Sequence, residues 1–339
     1  MRVLTEEIHD PAPGERRHDD HHDRLQLVFD MLNMNVHSCS KISRSRSTQA
    51  APYKIDSDCG TFVLKFQRQP RTALQSLRRK LLGSPTLRRQ IGVYQRLDTQ
   101  QFTSLNYPRL VKTDNETFVL LTYIPHTSDH PKDLELKRRI VASLIEYQTC
   151  SLNPAEAFVM KPFLHLALSP FWTVFRQTLT RVRRQYGSAL AISCLKALWT
   201  CRQRQSPLDK PIWLHNDFHH NNVLVDKHGN VYIHDFEQTV AERRWVLIDI
   251  AHQATDTATF SIDLDLIRLY VDHLKATNAR FGTLNYAAQL RFALLHRCLQ
   301  HLISKAPPDN VKQQYLEFIS TILVPEEAFR SWYAESVRL

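Results

Sequence analysis

Polar and apolar positions repeat with two different periods along this chain, and the period changes near Ile124-Pro125. Alternation with a period of two predicts strands over Val36–Ile42, Tyr53–Ser57 and Thr61–Phe66. A Ser/Arg loop (Ser43, Arg44, Ser45, Arg46, Ser47) separates the first two, and a turn at Asp58-Cys59-Gly60 joins the second to the third. Ser84-Pro85 opens a helical pattern from Thr86 to Leu97, and two more strands are expected at Arg109–Thr113 and Thr117–Tyr123. The sum is a small antiparallel sheet with one helix, and Ile124-Pro125 is a plausible hinge after it.

Beyond that hinge the spacing is mostly helical. Apolar residues predict helices over Leu134–Cys150, Phe171–Tyr186, Ala189–Gln203, Leu264–Ala276, Tyr286–Ile303 and Val311–Leu323. One strand-like island interrupts them at Trp213–Leu214, Val223–Val225 and Val231–Ile233, with Lys227-His228-Gly229-Asn230 as a hairpin turn. The expected organisation is a polar, loose tail at 1–24, a first lobe at 25–125 and a helical second lobe at 126–339. The tail carries a His-Asp cluster at His18–Asp23, where metal binding would cost the full ordering entropy of a loose segment.

With 339 residues and 43% hydrophobic side chains, the chain can bury a sizeable core. No apolar run reaches the roughly 18 to 20 residues of a spanning helix, and no basic-then-apolar start marks a secretory signal, so a cytoplasmic location is expected with peripheral membrane contact left open. Six scattered cysteines match neither a disulfide framework nor a zinc site. The net charge of +10 would attract an anion. From Cys59 to Leu97 there is no Asp or Glu, while Lys65, Arg68 and seven further basic residues fall there. Charge alone suits nucleic acid as well as nucleotide phosphates, but no helix-turn-helix or aromatic-basic recognition motif accompanies it. A nucleic-acid partner is therefore not expected.

The chemistry is concentrated in WLHNDFHHNNVLVDKHGNVYIHDFEQ, residues 213 to 238. His215, Asp217 and Asn222 have the HxDxxxxN spacing, and Asp235 follows after one hairpin. Phosphoryl transfer from ATP needs such a set: a carboxylate to take the proton of an attacking hydroxyl, and an amide oxygen with a second carboxylate to hold magnesium against the phosphates. The additional histidines His219, His220, His228 and His234 lack the spacing of a metal-ligand motif. In the first lobe, Lys65 is the one cation in the apolar strand Phe62–Phe66.

On these residues the chain resembles the aminoglycoside phosphotransferase and choline kinase branch of the protein-kinase-like superfamily, and more loosely the lipopolysaccharide core kinases. The resemblance runs from about Asn35 to Asp256. It implies an α+β, two-lobed kinase-like fold that binds ATP and magnesium in the cleft between the lobes. It also implies Asp217 as catalytic base, Asn222 and Asp235 as magnesium ligands, and His215 and Asp249 as supports of the catalytic loop. Lys65 would pair the α and β phosphates. The Phe-Glu after Asp235, where protein kinases have Phe-Gly, suits the small-molecule branch.

Two departures accompany the resemblance. The first lobe has no glycine-rich loop; Ser43–Ser47 stands in its place, where serine amides with Ser45, Arg44 and Arg46 can hold phosphate. The helix that should give a glutamate to Lys65 has Gln90 instead, an amide able to orient the lysine by a hydrogen bond with less electrostatic help. The leading reading is a kinase acting on a hydroxyl of a small molecule, sugar or glycan, an anionic glycan being suggested by the basic first lobe. The second is a nucleotide-binding scaffold without transfer activity.

Overall fold

The computed structural model describes residues 26, 28–30, 32–42, 50–67, 86–115, 117–126, 133–150, 169–256, 260–277, 279–304 and 308–337. Ser45, Arg46 and the tail at 1–24 with its His-Asp cluster lie outside them. The described residues form two compact units, one reaching to 99 and including 108–124, the other made of 100–107 and everything from 125 onward.

The first unit is a five-stranded antiparallel sheet of β1 (Val36–Lys41), β2 (Ala50–Ser57), β3 (Gly60–Gln67), β4 (Leu110–Thr113) and β5 (Phe118–Thr122), in the order β1-β2-β3-β5-β4. Each strand falls where alternation predicts it, to within a few residues. Parity fixes what faces where. Phe62, Leu64 and Phe66 of β3 share a core with Ile55, Phe118, Leu120 and with Val28, Phe29 and Leu32, residues of helical backbone just ahead of β1. Lys65 therefore faces the other side, directly across from Val119. That side is covered as well, because α1 (Thr86–Leu97) packs on β3, β4 and β5 and buries Leu87, Ile91 and Tyr94. A lysine between two covered faces is only 7% exposed.

The second unit is mainly helical: α2 (Leu134–Thr149), α3 (Pro170–Gln177), α4 (Arg183–Tyr186), α5 (Ser188–Arg204), α6 (Ile248–Ala254), α7 (Leu264–Thr277), α8 (Tyr286–Ser304), α9 (Asp309–Ile322) and α10 (Glu326–Val337). The helix expected over Phe171–Tyr186 carries a π turn at Thr178–Val182, which divides α3 from α4. α10 was not foreseen. Between the helices lie three short antiparallel pairs, β6 (Ile212–Leu214) with β9 (Val240–Glu242), β7 (Val223–Val225) with β8 (Val231–Ile233), and β10 (Thr255–Asp256) with β11 (Ser261–Ile262). The β7–β8 turn uses Gly229 at φ +78°, where Asp226 caps the backbone N–H groups of His228 and Asn230. A Cβ on Gly229 would stand 2.8 Å from the guanidinium of Arg139, which donates to the Gly229 carbonyl.

Beneath these strands, Tyr147 of α2 stacks on Phe236 and meets Trp213 edge-on, all three buried. Among the described residues no helix is long and apolar enough to cross a membrane.

Candidate active site

The segment from Trp213 to Gln238 folds as strand, loop, hairpin and 3-10 turn, and its polar side chains close on one another. Asp249, in the first turn of α6, is fully buried. One carboxylate oxygen accepts the backbone N–H of His215 at 2.9 Å and the amide of Gln148 at 2.9 Å; the other accepts the backbone N–H of Asn216 at 2.8 Å. Gln148 accepts in turn from the hydroxyl of Tyr270. Burial pushes the Asp249 carboxyl up, and the nearby His215 together with these hydrogen bonds opposes that rise. Burial and the Asp249 charge both push the Tyr270 phenol well above its ordinary value, so it remains a donor.

The loop that Asp249 grips runs straight into Asp217. Asn216 has φ +63°, a left-handed conformation that Asn tolerates better than most residues, and it turns the half-buried Asp217 side chain away from the core. Asp217 accepts from the amide of Gln238 at 3.2 Å and has His219 Nε2 at 3.7 Å. Asn222 spends its amide N–H on the Asp217 carbonyl at 2.8 Å, so its oxygen is the end left for a cation.

The hairpin returns Asp235 to this loop. His215 Nε2 donates to the His234 carbonyl at 2.7 Å, the His234 N–H donates to the Asn222 carbonyl at 3.1 Å, and His234 Nε2 bonds the Asn221 carbonyl at 2.9 Å. Asp235 follows with φ +64°, immediately ahead of the 3-10 turn Phe236–Gln238, and its side chain makes no capping hydrogen bond to that turn. His215, Asp217, Asn222, Asp235 and Asp249 are thus gathered in one cluster within the second unit. Among the described residues no group of three or more His, Cys, Asp and Glu side chains could hold a metal by itself. One carboxylate and one amide oxygen suit a magnesium ion that takes its other ligands from phosphates and water.

Residues outside the motif also support the cluster. Glu146 of α2 accepts the backbone N–H groups of Thr103, Ser104 and Leu105, each at 2.7 Å. Burial works against its charge, but these three donors and the Thr103 hydroxyl hold the carboxyl below its ordinary range. The segment so fixed presents Asn106, which bonds the Val231 carbonyl through its side chain and accepts from the Ile233 N–H, bracing β8 just ahead of Asp235. Contacts between residues 40 or more positions apart leave no periodic signal, which is why Glu146, Asn106, Gln148 and Tyr270 were not foreseen.

Behind α6, His252 and His296 of α8 stack with their ring nitrogens 3.4 Å apart, and Arg297 is buried beside them. Burial first, and the Arg297 charge second, drive both imidazoles down, His296 to about 3.

In the first unit, Gln90 of α1 is fully buried, and among the described residues neither polar atom of its side chain has a hydrogen-bond partner. The hydrogen bond expected between Gln90 and Lys65 is absent.

The sequence model of the phosphotransferase enzyme family matches residues 49–273. Among solved structures, the microcompartment-associated aminopropanol kinase superposes with a TM-score of 0.59 at 13% identity, over 92% of this chain and 98% of that one. An ADP-bound aminoglycoside phosphotransferase gives 0.57 at 12% identity, over 91% and 98%. The choline kinase of Streptococcus pneumoniae gives 0.56 at 13%, over 89% and 99%. These likenesses show the fold, which is the two-lobed kinase-like one. No curated protein sequence matches the chain.

Proposed function

The chain belongs to the phosphotransferase enzyme family, and on that premise we propose that it transfers the γ-phosphoryl group of ATP to a hydroxyl of a small molecule, with magnesium as the metal. The observation that carries this reading is the Asp249 carboxylate, which fixes two consecutive backbone amides and so aims the next residue, Asp217. Asp217 takes the proton of the acceptor hydroxyl as its oxygen forms the new bond to phosphorus; the bond to the bridging oxygen breaks and ADP leaves. Magnesium held by Asn222 and Asp235 would neutralise the nucleotide phosphates. His215 and the His234 carbonyl keep those two side chains in register. Lys65 would contact the α and β phosphates, a role the sequence also assigns to Ser45 and Arg46, which lie outside the described residues.

The acceptor in this reading is a small hydroxylated molecule, a sugar or a glycan. A phosphorylated or anionic glycan is favoured by the carboxylate-free stretch from Cys59 to Leu97.

A second reading, nucleotide binding without transfer, draws on α1, which has no carboxylate to offer Lys65. One pair of variants separates the two. Asp235→Ala removes metal-dependent ATP binding, measured by calorimetry. Asp217→Asn keeps ATP-magnesium affinity within a few fold while turnover falls by about a hundredfold or more. If wild type binds ATP-magnesium, phosphorylates no member of a panel of sugars, aminoglycosides, amino alcohols and core glycans, and matches Asp217→Asn, the scaffold reading holds.

A further inference from the structure

The helical hairpin of α3, α4 and α5 carries an exposed apolar seam that the phosphotransfer chemistry does not use. Leu179, Ile192 and Trp199 are 48%, 52% and 45% exposed, and Trp172, Phe175 and Leu195 beside them are half-buried. Their spacing is the same on both arms: 172, 175 and 179 on one, 192, 195 and 199 on the other. Each set is offset by one position from the buried stripe of its own arm (Phe171, Val174, Thr178; Ala191, Cys194, Leu198), so each is a flank rather than a core face. The arms meet there, since the Trp199 ring lies 6.2 Å from that of Phe171, which contacts both Trp172 and Phe175.

The charge around this seam has one sign. No Asp or Glu occurs from Ser169 to Leu208. Arg176, Arg181, Arg183, Arg184 and Lys196 are all exposed, and none forms an ion pair among the described residues. Arg204 is paired with Glu326, and Arg202 lies over the Phe171 and Trp172 rings.

We propose that this hairpin is a docking surface for an anionic lipid bilayer, on which the seam enters the interfacial region while the arginines and the lysine meet the headgroups. Exposed aliphatic side chains gain from an apolar medium, tryptophan favours the boundary between hydrocarbon and water, and unpaired cations gain from an anionic surface. Nucleic acid would use the cations and the indole but leave Leu179 and Ile192 unburied. A second copy would cover the seam only by bringing two sets of five cations together.

Co-sedimentation of the full chain with vesicles of phosphatidylcholine, with and without phosphatidylglycerol, tests this surface. Binding is expected to the anionic vesicles, to weaken with salt, and to be small on the neutral ones. Arg181→Gln, Arg184→Gln and Lys196→Gln combined should lose about fivefold for each charge. Ile192→Ser with Trp199→Ser should weaken binding tenfold or more at unchanged charge. All five side chains are exposed, so the urea midpoint should stay at the wild-type value. Failure of wild type to bind anionic vesicles overturns the assignment. So does equal binding by the Ile192→Ser, Trp199→Ser protein, and single-stranded RNA captured through the charges alone would make the surface a nucleic-acid site. A wild-type dimer that Trp199→Ser dissociates, without vesicle binding, would instead make it a contact between copies. Transfer activity measured without vesicles should be the same in every variant, so this outcome and that of the phosphotransfer reading are scored separately.

Discussion

The carboxylate of Asp249 accepts the backbone N–H of Asn216 at 2.8 Å, and Asn216 holds the left-handed turn that delivers Asp217. A side chain 33 positions away in sequence therefore sets where the proposed base stands. Because both Asp249 oxygens are occupied by donors in a fully buried site, replacing one with an NH2 group turns an accepted hydrogen bond into a clash between donors.

Asp249→Asn should accordingly cost about 2 to 4 kcal/mol of stability, the range for leaving a buried polar group unsatisfied beside the loss of a charge-assisted bond. The loop would lose its anchor at His215 or Asn216, so turnover should fall as well. Urea unfolding checks the first effect. A midpoint equal to wild type would show that the amides find other acceptors and that Asp249 does not hold the loop.

The second unit should be acid-sensitive through His252 and His296. Both are buried neutral, with Arg297 from the same helix as His296 adding repulsion to any proton they gain, and His219 contributing to His252. Their folded pKa values are depressed, so the unfolded chain binds more protons below the ordinary histidine value near 6.5. The stability they permit is complete above that value and is lost progressively as pH falls below about 6.5, the His296 share of it down to about 3. His296→Phe keeps a ring against His252 and Phe292 while removing one titration. Its unfolding free energy, followed from pH 7 to pH 4, should fall less steeply than that of wild type; equal slopes would mean that His296 titrates normally.

The legibility of this chain follows the range of its interactions. α1 begins and ends where the sequence pattern puts it, at Thr86 and Leu97, because a single turn spacing and a Ser-Pro start encode it locally. The β7–β8 hairpin was equally clear, since His-Gly-Asn between two apolar triplets admits few conformations. β9 was invisible: three residues containing Glu242 become a strand only because Ile212–Leu214 lies alongside. The π turn at Thr178–Val182 interrupts a helical pattern whose apolar spacing continues through it. Within the candidate site the motif residues could be read directly, whereas Gln148, Glu146 and Asn106 are recruited by packing. The gap at Gln90 was visible in sequence, but its physical state was not.

Gln90 supplies the last expectation. An amide with no partner for either polar atom, buried in α1, has given up its hydrogen bonds to water without replacement, a deficit of about 1 to 3 kcal/mol. Methionine has the same unbranched length, good helix propensity and nothing to satisfy. Gln90→Met should therefore raise the stability of the chain by about 1 kcal/mol, read as a higher urea midpoint at an unchanged slope. The same protein reports on Lys65. Since Gln90 makes no hydrogen bond to the lysine, the KM for ATP should stay within about twofold of wild type, whereas Lys65→Ala, which removes the proposed phosphate contact itself, should raise it by tenfold or more. A lower midpoint for Gln90→Met would mean that the amide is satisfied in solution. A large rise in its KM at normal stability would mean that the amide turns to the lysine or the phosphates once nucleotide is bound, and that the neutral side chain does part of the work of the missing glutamate.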